Sequence, residues 1–290
     1  MGKKADPILM APPDIESAPP ISARPLAEGD GWRAREVICR CGSDDRPFEE
    51  RHDWTSVAAV LEGVFTYRTG TGRAILAPGA LLLGEPGQCF ECGHEHATGD
   101  RCVSFHFSPD FIDEVLGGLQ GARRSSFRRA SVPPTERLLP LLAEARALAK
   151  APDPLRAEQL ALGVASAAFS LDRDVAGVAP SLSDEARAAR AVRIIEARYA
   201  EPLTIAGLAR EIGLTRRRFA TAFKAVVGAT PYNYILIRRL EAAAERLRGG
   251  GGSTLEIALD AGFGDLSEFT RRFHARYGRP PGLYRRSACG

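Results

Sequence analysis

The spacing of apolar positions divides the chain into a strand-rich part and a helical part. Between about residues 32 and 108, short apolar runs are separated by turns such as Gly70-Thr71-Gly72 and Pro78-Gly79, which is typical of a small β-barrel or sandwich. Helical spacing follows at 138–149 and 155–169, and it resumes after a linker-like segment at 172–183. The pattern predicts an α+β chain with an N-terminal β-barrel, flanking helices and an all-α C-terminal domain.

The helical part contains the same unit twice, at residues 204–234 and 254–284. In each unit a small residue comes four positions before a turn glycine, which allows two helices to cross closely: Ala209 with Gly213, and Ala258 with Gly262. Beyond the turn, five positions recur at an offset of 50 residues: Phe219 and Phe269, Phe223 and Phe273, Gly228 and Gly278, Pro231 and Pro281, Tyr234 and Tyr284. A duplication of this kind predicts two helix-turn-helix units in tandem.

The second helix of each unit is amphipathic, and its polar face is the candidate DNA-contacting surface. Thr215 and Asp265 are placed to cap these helices, and the phenylalanines are expected to face inward. Arginine can grip guanine bidentately, Ser and Thr can bond a base edge or a phosphate, and Leu can contact a thymine methyl group. The predicted DNA-contacting residues are Thr215, Arg216, Arg217, Ala220, Thr221, Lys224, Asp265, Leu266, Ser267, Thr270, Arg271 and Arg272.

A connecting helix is predicted from Tyr232 to Arg248, with Ile235, Leu240, Ala243 and Leu247 on its apolar side. The glycines at 249–252 follow it and make the connection to the second unit flexible. The run Ser253-Thr254-Leu255-Glu256 then has the form of a capping box at the start of the next helix.

The distribution of charge supports a nucleic-acid partner for the C-terminal part. The whole chain has a formal net charge of only +3. Residues 181–290, however, carry 19 Lys and Arg against 11 Asp and Glu, a net charge of +8, whereas residues 1–180 have a net charge of −5. This asymmetry places a polyanion-binding surface in the C-terminal third.

Residues 209–213 and the run from Gly262-Phe263-Gly264-Asp265 to Leu283-Tyr284-Arg285 resemble the AraC/XylS family of bacterial transcription regulators. The resemblance covers roughly 185–286. It implies two helical subdomains joined by a rigid helix, with double-stranded DNA and RNA polymerase as partners. It also implies a base-facing role for Arg217, Ala220, Thr221, Leu266, Ser267 and Arg271. Since Ala220 cannot hydrogen-bond to a base, the first unit is expected to read sequence mainly through Arg217.

Cysteines and histidines are concentrated between residues 89 and 106. The candidate ligands for zinc or another soft metal ion are Cys89, Cys92, His94, His96 and Cys102. Two other interpretations stay open, because a cysteine pair can sense oxidants and because strand cysteines often only fill a core. The pair Cys39 and Cys41 could join such a site, but the sequence does not place it nearby.

The Pro78-Gly79 turn followed by this cluster is similar, over roughly 32–110, to the cupin-like effector domain of AraC-type regulators. The similarity implies a barrel that senses a small effector. The helices at 135–150 and 155–171 carry more apolar surface than a barrel of about 80 residues is expected to cover. We therefore predict a homodimer formed through them, with packing onto their own barrel as the alternative.

The predicted domains are a mobile arm at 1–30 with six prolines, an effector domain at 31–130, a helical dimerisation and linker region at 131–180, and a DNA-binding domain at 181–290 with units at 204–228 and 254–278. The sequence has no signal peptide and no run of 18 apolar residues that would span a membrane. Without a secretory signal, the six cysteines are expected to be reduced thiols, and the protein is expected in the cytoplasm.

Two other functions compete with that of a transcription regulator. An Ada-like DNA alkylation-repair protein would need Cys-x3-Cys and Cys-x2-Cys spacing, whereas this chain has Cys39-x-Cys41 and Cys89-x2-Cys92. An enzymatic cupin would need a glutamate beside the histidines, but Glu91 and Glu95 alternate with them along a strand. We therefore predict a binding protein and not an enzyme.

Overall fold

The computed structural model describes residues 21–45, 47, 49–94, 99–119, 125–172 and 180–288. The strands are β1 (Ile21–Gly29), β2 (Trp32–Cys39), β3 (Glu49–Arg51), β4 (Thr55–Gly63), β5 (Phe65–Thr69), β6 (Gly72–Leu76), β7 (Leu81–Gly84), β8 (Cys89–Gly93), β9 (Asp100–Phe107) and β10 (Ser131–Val132). The helices are α1 (Pro109–Gly117), α2 (Leu139–Lys150), α3 (Pro154–Leu171), α4 (Leu182–Arg198), α5 (Ile205–Glu211), α6 (Arg216–Val227), α7 (Pro231–Arg248), α8 (Thr254–Asp260), α9 (Leu266–Tyr277) and α10 (Pro281–Ala288).

The strands form two antiparallel sheets. The larger sheet has the order β1-β2-β9-β4-β7-β10 and the smaller one β3-β8-β5-β6. Strand β4 is buried along both faces from Thr55 to Leu61, because Val57 and Leu61 face the helices while Ala58 and Val60 face the smaller sheet. The predicted α+β class is confirmed, and the strand-rich domain consists of two packed sheets with helices on the outer face of the larger one.

Part of the predicted mobile arm, residues 21–29, is an ordered strand. Residues 21–29 form strand β1, which pairs with β2 from Ile21↔Cys39 to Gly29↔Trp32. Pro25 is accommodated because β1 is an edge strand, where an amide donor is not needed on the outer side. The rest of the predicted arm, residues 1–20, lies outside the described residues.

The two helices predicted to form a dimer interface pack onto their own domain. Leu142, Leu148 and Val164 are at most 3% exposed and belong to one core with the larger sheet. Helix α2 is apolar on a second side as well, where Leu139 and Ala143 pack against α7. Most of the apolar surface that suggested a dimer is therefore covered within the chain, because α2 lies between the sheet and the helical domain. Leu155 and Leu162 of α3 stay exposed.

The helical domain follows the predicted duplication closely. Helices α5 and α6 form the first helix-turn-helix unit, and α8 and α9 form the second. The N-cap side chain of Thr204 accepts a hydrogen bond from the amide of Gly207 at 3.0 Å, and Ser253 and Glu256 form the predicted capping box. Helix α7 joins the units and buries the predicted apolar positions.

The N-terminal domain shares a core with the first helix-turn-helix unit. Val64, Ile75 and Ala77 pack with apolar residues of α4, α5 and α6. Across this boundary, the guanidinium of Arg73 lies 2.8 Å from the carboxylate of Glu185. In the part of the chain that the structure describes, none of the helices is long and apolar enough to cross a bilayer.

Candidate nucleic-acid interface and cysteine–histidine cluster

Helix α6 presents one apolar and one basic face. Phe219 and Phe223 are buried, and the hydroxyl of Thr215 caps the helix by accepting a hydrogen bond from the Arg218 amide at 3.3 Å. The cap leaves the other early positions free to face outward. The exposed residues of this face are Arg216, Arg217, Thr221 and Lys224, with Ala220 partly exposed.

Helix α9 repeats this arrangement with a more mixed surface. The Asp265 carboxylate accepts hydrogen bonds from the amides of Ser267 at 3.2 Å and Glu268 at 2.8 Å. Both oxygens of Asp265 are thus used in capping, which suits an anion at a helix N-terminus. The side chains of Leu266, Ser267 and Arg271 are exposed beyond it, and Thr270 is partly exposed.

The arginines of the two recognition helices fall into two classes. Arg218 reaches back to α4, where its Nη2 donates to both oxygens of Asp184 at 2.8 Å, and that ion pair holds the pKa of the Asp184 carboxyl below its ordinary value. Arg272 donates to Glu268 at 2.8 Å and to the Tyr232 hydroxyl at 2.9 Å.

By contrast, the guanidinium groups of Arg216, Arg217 and Arg271 are exposed and pair with no other side chain in the described ranges. They are therefore available for a polyanion. Arg272 is held between a carboxylate and a hydroxyl, which suits it to position the helix or to contact a phosphate.

Contacts between the two units set their relative orientation. Arg239 of α7 donates from Nε to the Tyr199 carbonyl and from Nη2 to the Glu201 carbonyl, both at 2.7 Å. Gly262, at the turn of the second unit, lies so close to this place that a Cβ would be 2.7 Å from the Ala200 carbonyl. These contacts orient the units on either side of the glycine run at 249–252 that precedes α8.

The candidate metal ligands do not all lie on one face. Along β8 the side chains alternate, so Phe90 and Cys92 pack into the core between the sheets whereas Glu91 pairs outside with Arg68. Cys89 therefore lies on the face opposite to Cys92. His94 is buried on the Cys92 side, and His96 lies outside the described residues.

The structure brings a different set of donors together. Cys39, His94 and Asp100 each place one ligand atom within 4.8 Å of the others. His94 Nε2 lies 2.7 Å from Asp100 Oδ2, and the Cys102 thiol donates to Asp100 Oδ1 at 3.4 Å. The sequence pattern did not indicate Asp100 and left Cys39 unplaced. Their pairing across β2 and β9, Cys39↔Asp100, follows from strand register.

Burial determines the protonation of the thiols in this cluster. Burial, opposed by a hydrogen bond to the backbone of Cys41, raises the pKa of Cys39 to about 12. Burial and then the carboxylate of Asp100 raise the pKa values of Cys92 and Cys102 well above the ordinary thiol range. The thiols are consequently protonated near neutral pH unless a cation displaces their protons.

Two family models match the chain. A helix-turn-helix domain matches residues 208–287, and an AraC-like ligand-binding domain matches residues 34–165. Together they cover both of the domains described above.

Individual relatives match about a third of the chain. The TetD protein of transposon Tn10 from Escherichia coli is 39% identical over 93 residues, which cover 32% of this chain and 67% of TetD. The transcriptional regulator CdhR of Pseudomonas aeruginosa is 38% identical over 80 residues, 28% of this chain and 24% of CdhR. The chain spans about a quarter to a third of the length of most curated relatives that it matches.

Among solved structures, the chain is similar to an AraC-type transcriptional regulator from Chromobacterium violaceum. The identity is 27%, the aligned part covers 37% of this chain and 96% of the solved chain, and the TM-score is 0.35.

Proposed function

Because the chain belongs to the AraC family of transcription regulators, we propose that it binds specific sites on double-stranded DNA and regulates transcription in response to a small effector. The N-terminal domain is the sensing part, and the two helix-turn-helix units read the DNA.

The observation that carries this proposal is the exposure of arginines on both recognition helices. Arg217 is the second residue of α6 and Arg271 the sixth residue of α9, and both side chains are exposed. Arg239 of α7 bonds to the loop before the first unit, and Gly262 of the second unit packs against the same loop. Since these contacts orient the two units, the helices can enter successive major grooves. We propose Arg217, Ala220, Thr221, Leu266, Ser267 and Arg271 as base-facing residues. Thr215, Arg216, Lys224, Asp265, Thr270 and Arg272 then contact phosphates or position the helices.

The chemistry of the N-terminal domain favours a soft metal ion or an oxidant as its signal. Cysteine and histidine side chains converge between the sheets, beside the strands that touch the first helix-turn-helix unit. His94 of this cluster stacks on Phe65, and the preceding residue, Val64, packs in the core that contains α6. An oxidant is the less favoured of these two candidate signals, because buried thiols with raised pKa values react slowly with oxidants.

We also propose a homodimer, but through the outer face of α3 and not through its buried stripe. Leu155 is 68% exposed and Leu162 is 40% exposed, and the two lie two helical turns apart. A second copy on a neighbouring half-site would raise avidity by about 10²–10⁴. RNA polymerase is the other protein partner, proposed on family membership alone.

The proposal is tested by selecting bound fragments from a random DNA pool with the full-length chain and footprinting the selected site. The Arg217→Ala, Arg271→Ala double variant should lose protection of that site. The matched control, Arg40→Ala with Arg156→Ala, removes two exposed arginines of the N-terminal domain and should retain protection. Selection of no common sequence, or normal protection by the first double variant, would contradict the proposal.

A further inference from the structure

We propose that the N-terminal domain binds one soft divalent metal ion, of the zinc class, through Cys39, His94 and Asp100. The inference deepens the proposed sensing function by naming its signal. It rests on that function for the effect on DNA, whereas the binding of the ion is measured without DNA.

The three donors differ in chemistry and come from different parts of the domain. Cys39 ends β2, His94 follows β8, and Asp100 begins β9, yet their ligand atoms all lie within 4.8 Å of one another. Bonds of about 2.0–2.3 Å around a tetrahedral ion place ligand atoms roughly 3.5 Å apart. Small side-chain rotations therefore suffice to close this group around an ion.

A fourth donor, Cys102, lies on the same face but outside the group whose ligand atoms are all within 4.8 Å of one another. The Cys102 thiol already donates to Asp100 Oδ1 at 3.4 Å, and Cys102 follows Asp100 by two positions along β9, so both side chains point between the sheets. Two thiolates, one imidazole and one carboxylate form a set that selects zinc or a similar ion over magnesium and calcium.

The charge at the site also points to a cation. Asp100 has a side chain only 8% exposed, and within the described segments the basic side chain that lies against its carboxylate is that of His94. A buried carboxylate is costly unless a positive charge compensates it. A divalent ion would supply that charge and would displace the hydrogen between His94 and Asp100.

The location of the site connects it to the DNA-binding domain. The His94 ring stacks on Phe65 with 5.9 Å between ring centroids, and the adjacent Val64 is buried in the core of the first helix-turn-helix unit. At Gly63, a Cβ would be 2.6 Å from the Asp100 Cα. Movement of His94 or Asp100 around an ion therefore reaches Val64, which packs against α4, α5 and α6.

The test uses full-length protein, reduced and freed of metal, titrated with Zn²⁺ and with Co²⁺ as a spectroscopic probe. We expect one equivalent to bind and a thiolate-to-cobalt charge-transfer band to appear. Cys39→Ser and His94→Gln should each weaken binding more than about tenfold. The matched control Cys89→Ser changes a thiol on the opposite face and should bind like the wild type. His94→Cys keeps a donor and should bind even if His94→Gln fails to fold.

Three results would overturn the site: no stoichiometric binding by the wild type, unchanged binding by Cys39→Ser and by well-folded His94→Gln, or a band that depends on Cys89 and not on Cys39. Binding that leaves the affinity for the selected DNA unchanged would overturn its role as the signal. A chain that binds metal as expected but selects no DNA would instead contradict the proposed function and leave the metal site supported.

Discussion

The guanidinium of Arg146, on α2 of the N-terminal domain, lies 3.8 Å from the carboxylate of Glu241 on the helix that joins the two DNA-binding units. Arg146 also donates to the Leu61 carbonyl of β4 at 2.7 Å. Burial, followed by the charge of Arg238, lowers the pKa of Arg146 to about 10, so it stays protonated at neutral pH. One buried cation thus bonds to β4 of the larger sheet and lies beside the connecting helix.

Replacing Arg146 should uncouple the two domains. Arg146→Met leaves the Leu61 carbonyl without this donor and Glu241 with less compensating charge, so we expect a loss of about 3 kcal/mol in the free energy of unfolding. Urea unfolding followed by tryptophan fluorescence reports the N-terminal domain, since both tryptophans lie there. Far-UV circular dichroism reports mainly the helices, and the two transitions should separate.

The control for this experiment is Lys150→Met, which removes a largely exposed ion pair with Glu245 across the same boundary. An exposed ion pair contributes about 0–1 kcal/mol to the free energy of unfolding. The unfolding transitions of Lys150→Met followed by fluorescence and by circular dichroism should therefore coincide. Equal losses in the two variants would show that burial of Arg146 is not the cause.

Arg217 and Arg216 should differ in what they contribute to DNA binding. Arg217→Ala should cost about 1–3 kcal/mol at one base position and little elsewhere, because a bidentate contact with guanine carries sequence information. Arg271→Ala should behave likewise at a second position. Arg216→Ala should weaken binding to all sequences alike and reduce the salt dependence. Affinities for single-base variants of the selected site at several salt concentrations check this, and an even loss across bases for Arg217→Ala would count against a base contact.

Two turn glycines with similar backbone angles should respond differently to alanine. Gly213 has a φ of 73° and open space where a Cβ would stand, whereas Gly262 has a φ of 88° and faces the Ala200 carbonyl. Gly213→Ala should therefore cost only the strain of a left-handed residue, about 1 kcal/mol. Gly262→Ala should cost at least about 2 kcal/mol, because the backbone of the second unit must also move. Urea denaturation of both variants measures the difference, and equal costs would contradict the close contact between the units.

Stability should fall in mild acid because two histidines are buried as neutral rings. Burial lowers the pKa of His52 to about 4, with Asp53 opposing the shift. Burial and the charges of Arg33 and Arg35 lower that of His106 to about 4. The two neutral rings contribute fully to the free energy of unfolding above a pH of about 6.5, the ordinary pKa that histidine has in the unfolded chain. This contribution is lost as the pH falls from about 6.5 to 4.

At pH 5 each buried histidine should therefore lower the free energy of unfolding by about 2 kcal/mol relative to pH 7.5. His52→Gln can keep a hydrogen bond to Tyr67, which lies 2.8 Å from His52 Nε2, and should flatten the pH dependence by about that amount. Free energies of unfolding at the two pH values measure the effect. A variant with the same pH dependence as the wild type would exclude His52 as a cause.

The proposed dimer predicts that Leu155→Glu with Leu162→Glu yields a monomer. Both side chains are exposed on α3, so the fold should persist, whereas Leu142→Glu would disrupt the core in which Leu142 is fully buried. Sedimentation of the full-length chain at micromolar concentration distinguishes the two states. Leu182→Glu, at a leucine of similar exposure on α4, is the control. A monomeric wild type would rule the dimer out.

The sequence alone was sufficient for the helical domain because its signals are local. The cap residues Thr215 and Asp265 and the paired phenylalanines act within a few positions along one helix, so their spacing predicts both the helix starts and the buried faces. The connecting helix, predicted from Tyr232 to Arg248, begins one residue earlier at Pro231, because proline suits the first position of a helix.

Tertiary structure alone decided which residues meet between the sheets and which helix faces are covered. Cys39 and Asp100 are 61 positions apart and become neighbours through the register of β2 with β9, which no local pattern encodes. The sequence indicated that the apolar stripe containing Leu142 exceeds what a small domain can bury. The residues that cover it, on the sheet and on α7, come from distant parts of the chain. Local spacing determines which face of an element is apolar, but only packing determines what that face touches.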